Sequence, residues 1–221
     1  MDKRYTDFAG CKGRVERLRK NQRMETKIMK KLTVFLWIAA IVLSLSGCGK
    51  GQDTVEKNQE STESAYAAPL EILTQIVDAY GEDELFAMYG GNQENAVMDA
   101  PGAFDVSKTE ELENLFGLPN DQISDLEDAA SMVHMMNSNT FTGAAYRLKD
   151  GVDTQAFADA VKSSILEKQW MCGQPDTLLI LQVDGSFLIM AYGEANIMEI
   201  FKNNALSVLE EAQIITETPI A

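Results

Sequence analysis

Two apolar segments separated by a tight turn constrain the fold of this chain more than any other feature. Leu178–Val183 and Phe187–Tyr192 are almost entirely apolar, and Asp184-Gly185 lies between them. An Asp-Gly pair favours a hairpin turn in which both central residues take positive φ. The pattern therefore predicts a β-hairpin and an antiparallel sheet in the C-terminal half of the chain.

Strand and helix patterns surround this hairpin. Thr140–Leu148 has the composition of a strand, Asp153 is placed to cap a helix that runs to Trp170, and a final helix is predicted over residues 195–212. The resulting order of strands and helices is typical of an α+β fold. We therefore expect an antiparallel sheet with the helices packed on one face.

The region before residue 140 is harder to interpret. Helical spacing predicts a helix over Leu70–Tyr80, and Thr109–Phe116 forms a second, acidic helix. Residues 123–136 fit neither the helical nor the strand period. We expect one α+β domain over residues 69–215.

Charge is divided unevenly along the chain. Residues 1–31 contain eleven basic and four acidic residues, a net charge of +7, whereas residues 32–221 contain 8 basic and 30 acidic residues, a net charge of −22. At the start of the second range, residues 32–46 form an uncharged apolar run. This run is shorter than the roughly 20 residues that span a membrane. Its length and basic flank are instead typical of a secretory signal peptide.

The apolar run ends in Leu45-Ser46-Gly47-Cys48, which resembles the lipobox of bacterial lipoproteins. The resemblance implies that Leu45, Ser46 and Gly47 are recognised by a signal peptidase. It also implies that Cys48 receives a diacylglyceryl group and becomes the new N-terminus. Two acyl chains suffice for stable attachment to a membrane. The predicted location is the outer face of the cytoplasmic membrane.

The lipobox sets the organisation of the N-terminal part. Residues 29–47 are the predicted signal peptide, and residues 48–68 are the lipidated cysteine with a polar, flexible tether. Residues 1–28 are either an over-called start or a long basic extension, because Met1, Met24 and Met29 are all candidate starts.

The C-terminal part resembles a family of domains of unknown function, the one numbered 4358. The resemblance rests on Leu115–Leu118, on a ββαββα order, on the hairpin Val183–Leu188 and on Phe201 in the last helix. It covers about residues 110–205, and the chain departs from it at Lys168–Gln174. Members of that family are mostly predicted lipoproteins of anaerobic, spore-forming bacteria. The resemblance implies no activity and no catalytic residues.

Several chemistries find little support in the sequence. His134 is the only histidine, and its apolar surroundings favour a structural role over that of a catalytic base. Cys172 is left unpaired once Cys48 carries lipid, and a buried or semi-exposed thiol is expected there. No Gly-rich phosphate loop is present, and no cofactor is expected. The acidic body argues against nucleic-acid binding, which needs clustered Lys and Arg.

Three acidic clusters could bind a divalent cation, although solvated helix faces are the simpler interpretation. They are Glu82–Glu84, Glu110–Glu113 and Asp125–Asp128. A methionine cluster, Met132, Met135 and Met136, could form an adaptable binding surface, although core filling is favoured.

Two function classes remain. The favoured one is a binding or interaction module of the cell envelope, with an envelope protein or ligand as partner. The alternative is a hydrolase-like envelope enzyme that uses carboxylates, with or without a divalent cation. Trp170, Met171 and Tyr192 lie at the ends of predicted elements and are candidates for an exposed partner patch.

Overall fold

Eight strands form one antiparallel sheet in the computed structural model, which describes residues 65–220. The strands are β1 (Met88–Gly90), β2 (Val97–Met98), β3 (Gly102–Phe104), β4 (Leu126–His134), β5 (Phe141–Leu148), β6 (Thr177–Val183), β7 (Phe187–Gly193) and β8 (Gln213–Pro219). Their order across the sheet is β2-β1-β4-β5-β7-β6-β8, and β3 pairs with β4 beside β1. The predicted antiparallel α+β architecture is confirmed.

Five α-helices accompany these strands within the described residues. They are α1 (Pro69–Val77), α2 (Thr109–Phe116), α3 (Asn120–Ile123), α4 (Thr154–Glu167) and α5 (Ala195–Val208). The predicted cap of α4 is present, since the Asp153 side chain accepts hydrogen bonds from the backbone N–H groups of Gln155 and Ala156, both at 3.0 Å. The order β4-β5-α4-β6-β7-α5 is the expected ββαββα unit.

The predicted hairpin lies within the sheet. β6 and β7 pair in register from Thr177 opposite Gly193 to Val183 opposite Phe187. Asp184 and Gly185 take φ values of 46° and 72°, as an Asp-Gly hairpin turn requires. All seven residues of β7 are buried.

The helices cover both faces of the sheet, which differs from the expectation of one face. α2, α3 and α4 pack on a core that includes Leu188 and Met190, whereas α1 and α5 pack on a second core that includes Phe187 and Ile189. Successive residues of β7 therefore point into different cores. A strand that is buried on both faces has apolar residues without polar alternation. The uninterrupted apolar run Phe187–Tyr192 has this pattern.

Among the strands that the sequence patterns did not predict, β4 and β8 are the longest. Residues 123–136 contain β4, whose small residues Ala129, Ala130 and Ser131 are buried between β5 on one side and β3 on the other. The last helix ends at Val208, not at residue 212, and β8 follows it and pairs with β6. The sheet therefore continues past the predicted domain boundary at residue 215. β8 is an edge strand with mostly exposed or half-exposed side chains, so its hydrophobic pattern is weak.

Candidate functional site

A cleft of about 550 Å³ opens at one end of the sheet. We call it the methionine cleft, because two exposed methionines line it. Four parts of the chain meet there: the end of α2, the connection between β4 and β5, the segment after α4, and the end of β7. The lining residues are Asn114, Leu115, Met136, Asn137, Ser138, Asn139, Lys168, Gln169, Trp170, Met171, Cys172 and Tyr192.

The structure brings the three residues of the predicted patch together in this cleft. Trp170 and Tyr192 are in contact, with ring centroids 5.0 Å apart. Met171 is 92% exposed, Trp170 is half-buried and Tyr192 is buried. Met171 is therefore exposed as expected, whereas Tyr192 lies in the wholly buried strand β7. A partner patch at these residues stays a prediction.

Met136 corrects the expectation that the methionine cluster fills the core. Met132 is fully buried, as expected, but Met136 is 82% exposed and Met135 is 38% exposed. β4 ends at His134, so the two later methionines lie in the connection to β5 and leave the sheet. The sequence pattern does not show this, because it does not reveal the end of β4.

The side chains of Lys168 and Tyr192 donate hydrogen bonds to backbone carbonyl groups at the end of α2. The last turn of a helix leaves carbonyl groups without intrahelical partners. Gly117, at φ 65°, ends the helix, and its N–H donates to the Glu113 carbonyl. The Lys168 ammonium donates to the Asn114 carbonyl at 2.7 Å, and the Tyr192 hydroxyl donates to the Leu115 carbonyl at 2.7 Å. These two side chains therefore fix one wall of the cleft.

The ammonium group of Lys168 also lies over both aromatic rings. Its nitrogen is 4.9 Å from the Trp170 ring centroid and 5.9 Å from that of Tyr192. Burial lowers the pKa of this amine, because the charged form loses hydration. Cation–π contact and the Asn114 carbonyl replace part of that hydration. The cation is thus engaged by protein groups on the cleft wall.

Tyr192 gives the fold a dependence on alkaline pH. Burial raises the pKa of Tyr192 to about 12, and a hydrogen bond with Thr142 opposes this shift. The folded pKa lies above the ordinary value of 10.0, so the stabilisation is complete below about pH 10 and is lost as the pH rises through about 12. We expect the free energy of unfolding to fall through this window.

The variant Tyr192→Phe tests this origin. It should lower the free energy of unfolding near neutral pH by about 1 kcal/mol, because the Leu115 carbonyl loses its donor. It should also make the fall between about pH 10 and about pH 12 shallower than in the wild type. Urea unfolding at a series of pH values measures both effects. Parallel stability curves for the two proteins through this window would contradict the assignment.

Side-chain amides join the two loops beside the cleft. Asn137 donates from its amide to the Cys172 carbonyl at 3.4 Å, and Asn139 donates to the Gly173 carbonyl at 2.5 Å. The loop after β4 therefore holds the segment after α4 in place. The exposed Met136 and Met171 project from loops that are tied to each other.

His134 packs against Phe86 and accepts hydrogen bonds from the loop after β4. Its ring stacks on Phe86 with centroids 5.4 Å apart. Its Nδ1 accepts hydrogen bonds from the backbone N–H groups of Met136 at 3.2 Å and Asn137 at 3.4 Å, so it shapes the start of the loop that carries Met136. Cys172 is exposed, which corrects the expectation of a buried or semi-exposed thiol, and it lines the cleft. His134 is not among the residues that line the cleft.

The acidic clusters lie on separate elements. Glu84 accepts hydrogen bonds from Gly81 and Asn204, and two of the acids in Glu110–Glu113 lie in the first turn of α2. Asp125 shares a cleft of about 370 Å³ with the residue that caps α4. Among residues 65–220, no group of three or more His, Cys, Asp or Glu side chains is arranged to hold a metal ion. The carboxylate-enzyme alternative stays a prediction.

The predicted lipidation site lies outside the described residues. This applies to Cys48 and to its recognition residues Leu45, Ser46 and Gly47. The described part of the chain begins with the last residues of the predicted tether. Between residues 65 and 220, no helix has the length and apolar character needed to cross a membrane.

Comparison with known proteins gives no match for this chain among protein-family models, curated proteins or solved structures. The resemblances to the lipobox and to the domain family numbered 4358 therefore stay predictions from the sequence.

Proposed function

We propose that this protein is a membrane-anchored extracytoplasmic lipoprotein, attached through Cys48, and that its folded domain binds an envelope partner through the methionine cleft. The observation that carries the binding role is the pair of exposed methionines, Met136 and Met171, at 82% and 92% exposure on one cleft of about 550 Å³. The anchoring role rests on the lipobox.

Exposed methionines at a cleft favour binding for a physical reason. Covering exposed apolar side chains with a partner stabilises the complex by roughly 25 cal/mol per Å² of buried apolar surface. Methionine is unbranched and polarizable, so it adapts to partners of different shape. The walls behind the methionines are fixed by the hydrogen bonds to Asn114, Leu115 and Cys172. A flexible rim on a fixed base suits a binding site.

The contacts of Ala65 and Tyr66, near the C-terminal end of the predicted tether, support this use of the cleft. Ala65 donates its backbone N–H to the Asp184 carboxylate at 2.5 Å, and the Tyr66 ring contacts that of Phe187 with centroids 6.3 Å apart. Both contacts lie at the start of β7, whereas Tyr192 reaches the cleft from its end. These two ends are separated by roughly 17 Å at the rise of a strand. A partner can therefore reach the cleft at the end of β7 remote from the attachment of the tether.

Cross-linking in cells tests the binding role. A photo-reactive amino acid in place of Met171 should give discrete adducts, and Met136→Ser in the same chain should weaken them, because both side chains line the cleft. The matched control is the same amino acid in place of Met98, which is 55% exposed on β2 and does not line the cleft. The absence of adducts at position 171, or the same adducts at position 98, would contradict the proposal.

A further inference from the structure

We infer that the methionine cleft takes a basic peptide segment whose apolar side chains insert beside Met136 and Met171. This inference rests on the proposed use of the cleft as a binding site, and it adds the chemistry of the partner. The net charge of the folded domain favours a basic partner. Residues 65–220 contain 26 acidic and 6 basic residues, a net charge of −20. A field of this sign attracts cationic partners and repels anionic ones.

Exposed carboxylates near the cleft are negatively charged, like the domain as a whole. Glu113 in α2 and Glu167 at the end of α4 directly precede residues that line the cleft, and both are exposed. Glu194, which is also exposed, follows β7 and accepts a hydrogen bond from the Thr140 hydroxyl at 3.4 Å. Basic side chains of a bound segment would therefore meet carboxylates around the cleft, where such pairs guide the approach of the partner.

Lys168 does not reverse this preference, although it is the one charged residue among those that line the cleft. Its ammonium already donates to the Asn114 carbonyl and lies over two aromatic rings. A group used in this way has lost part of its hydration and of its freedom to meet a ligand anion. The cleft therefore combines two exposed methionines with uncharged polar side chains on a domain of net negative charge, and Lys168 does not make it an anion site.

The two exposed methionines of the cleft favour apolar side chains in the bound segment. The cleft volume of about 550 Å³ lies within the range of roughly 300–1,000 Å³ that is typical of ligand sites. A helix with leucines on one face and lysines on the other presents both required features to a groove. We therefore expect such a helix to insert leucines beside the two methionines while its lysines face the surrounding carboxylates.

Tryptophan fluorescence of the protein purified from membranes can test the inference. The sequence contains two tryptophans, and Trp37 lies in the predicted signal peptide. Trp37→Phe leaves Trp170, which lines the cleft, as the only fluorescent indole whether or not that peptide is removed. The probe is a short synthetic amphipathic peptide of Leu and Lys at helical spacing. We expect a saturable change in Trp170 fluorescence that weakens when salt rises from about 0.05 M to about 0.5 M. Met136→Ser with Met171→Ser should raise the Kd about tenfold, a loss of about 1.4 kcal/mol, whereas Met98→Ser should leave it unchanged.

Two further peptides separate the possible outcomes. If a peptide with Ser in place of Leu binds equally well, charge alone is responsible and the inference is overturned. If a peptide with Glu in place of Lys binds more tightly, the charge argument fails and the inference is overturned, while the cleft keeps its binding role. If none of the peptides binds, the inference is wrong, and the cross-linking at position 171 decides separately whether the proposed function stands.

Discussion

Gly90→Ala should destabilise the folded domain by about 3 kcal/mol or more. A Cβ atom at Gly90 would lie 2.0 Å from the Gly102 nitrogen, 2.4 Å from the Ser131 carbonyl oxygen and 2.5 Å from the Pro101 carbonyl carbon. All three are backbone atoms, which cannot move aside as the end of a side chain can. To accept the methyl group, β1 and β3 would have to separate along the edge of β4.

The architecture explains why the backbones approach so closely. β1 and β3 pair with successive parts of β4, Met88 lying opposite His134 and Gly102 opposite Ser131. The residues between them include β2, which pairs with β1, and Gly90 meets Gly102 where the chain returns to β4 as β3.

Urea unfolding followed by circular dichroism measures the loss of stability in Gly90→Ala. The matched control is Gly81→Ala, whose new Cβ would meet only the carboxylate side chains of Asp83 and Glu84. These side chains can move aside, so we expect a much smaller loss. Equal effects of the two substitutions would contradict the close approach of β1 and β3.

Phe201→Ala should lower the free energy of unfolding by about 3–5 kcal/mol. Phe201 is fully buried in α5 and contacts Phe141 of β5 with ring centroids 5.2 Å apart. It belongs to the core on the face that α1 and α5 cover. Removal of the ring loses its transfer free energy and leaves a cavity that tightly packed neighbours fill only in part.

A control on the same helix makes this prediction specific to the second core. Leu206 is 39% exposed, and Leu206→Ala should cost less than about 1 kcal/mol. Both variants are compared by urea unfolding under the same conditions. If Phe201→Ala and Leu206→Ala shift the unfolding midpoint equally, the face covered by α1 and α5 is not a packed core. The expectation of helices on one face would then regain support.

Strong local signals explain which elements were predictable. The Asp184-Gly185 turn, the Asp153 cap and the apolar runs of β6 and β7 each define their structure within a few residues. β4 and β8 lack such signals. β4 is built from small residues such as Ala129 and Ala130, and its identity as a strand depends on partners distant in sequence.

The candidate site was only partly predictable for the same reason. Trp170 ends a predicted helix and Met171 follows it. The observed helix α4 ends earlier, at Glu167, and the structure places both residues in the cleft. The exposure of Met136 depends on where β4 ends, which the sequence pattern does not reveal. The roles of Lys168 and Tyr192 at the end of α2 are set by tertiary contacts over 54 and 77 residues of sequence, which no local pattern encodes.

Fatty-acid labelling tests most directly the claim that this chain is a lipoprotein anchored at Cys48. Cells grown with an alkyne-bearing fatty acid should incorporate the label into the wild-type chain and into Cys172→Ala, but not into Cys48→Ala. The matched control removes a cysteine that is exposed in the folded domain, so that general thiol acylation is distinguished from lipobox processing. Label retained by Cys48→Ala, or lost from Cys172→Ala, would contradict the anchor and the envelope location that depends on it.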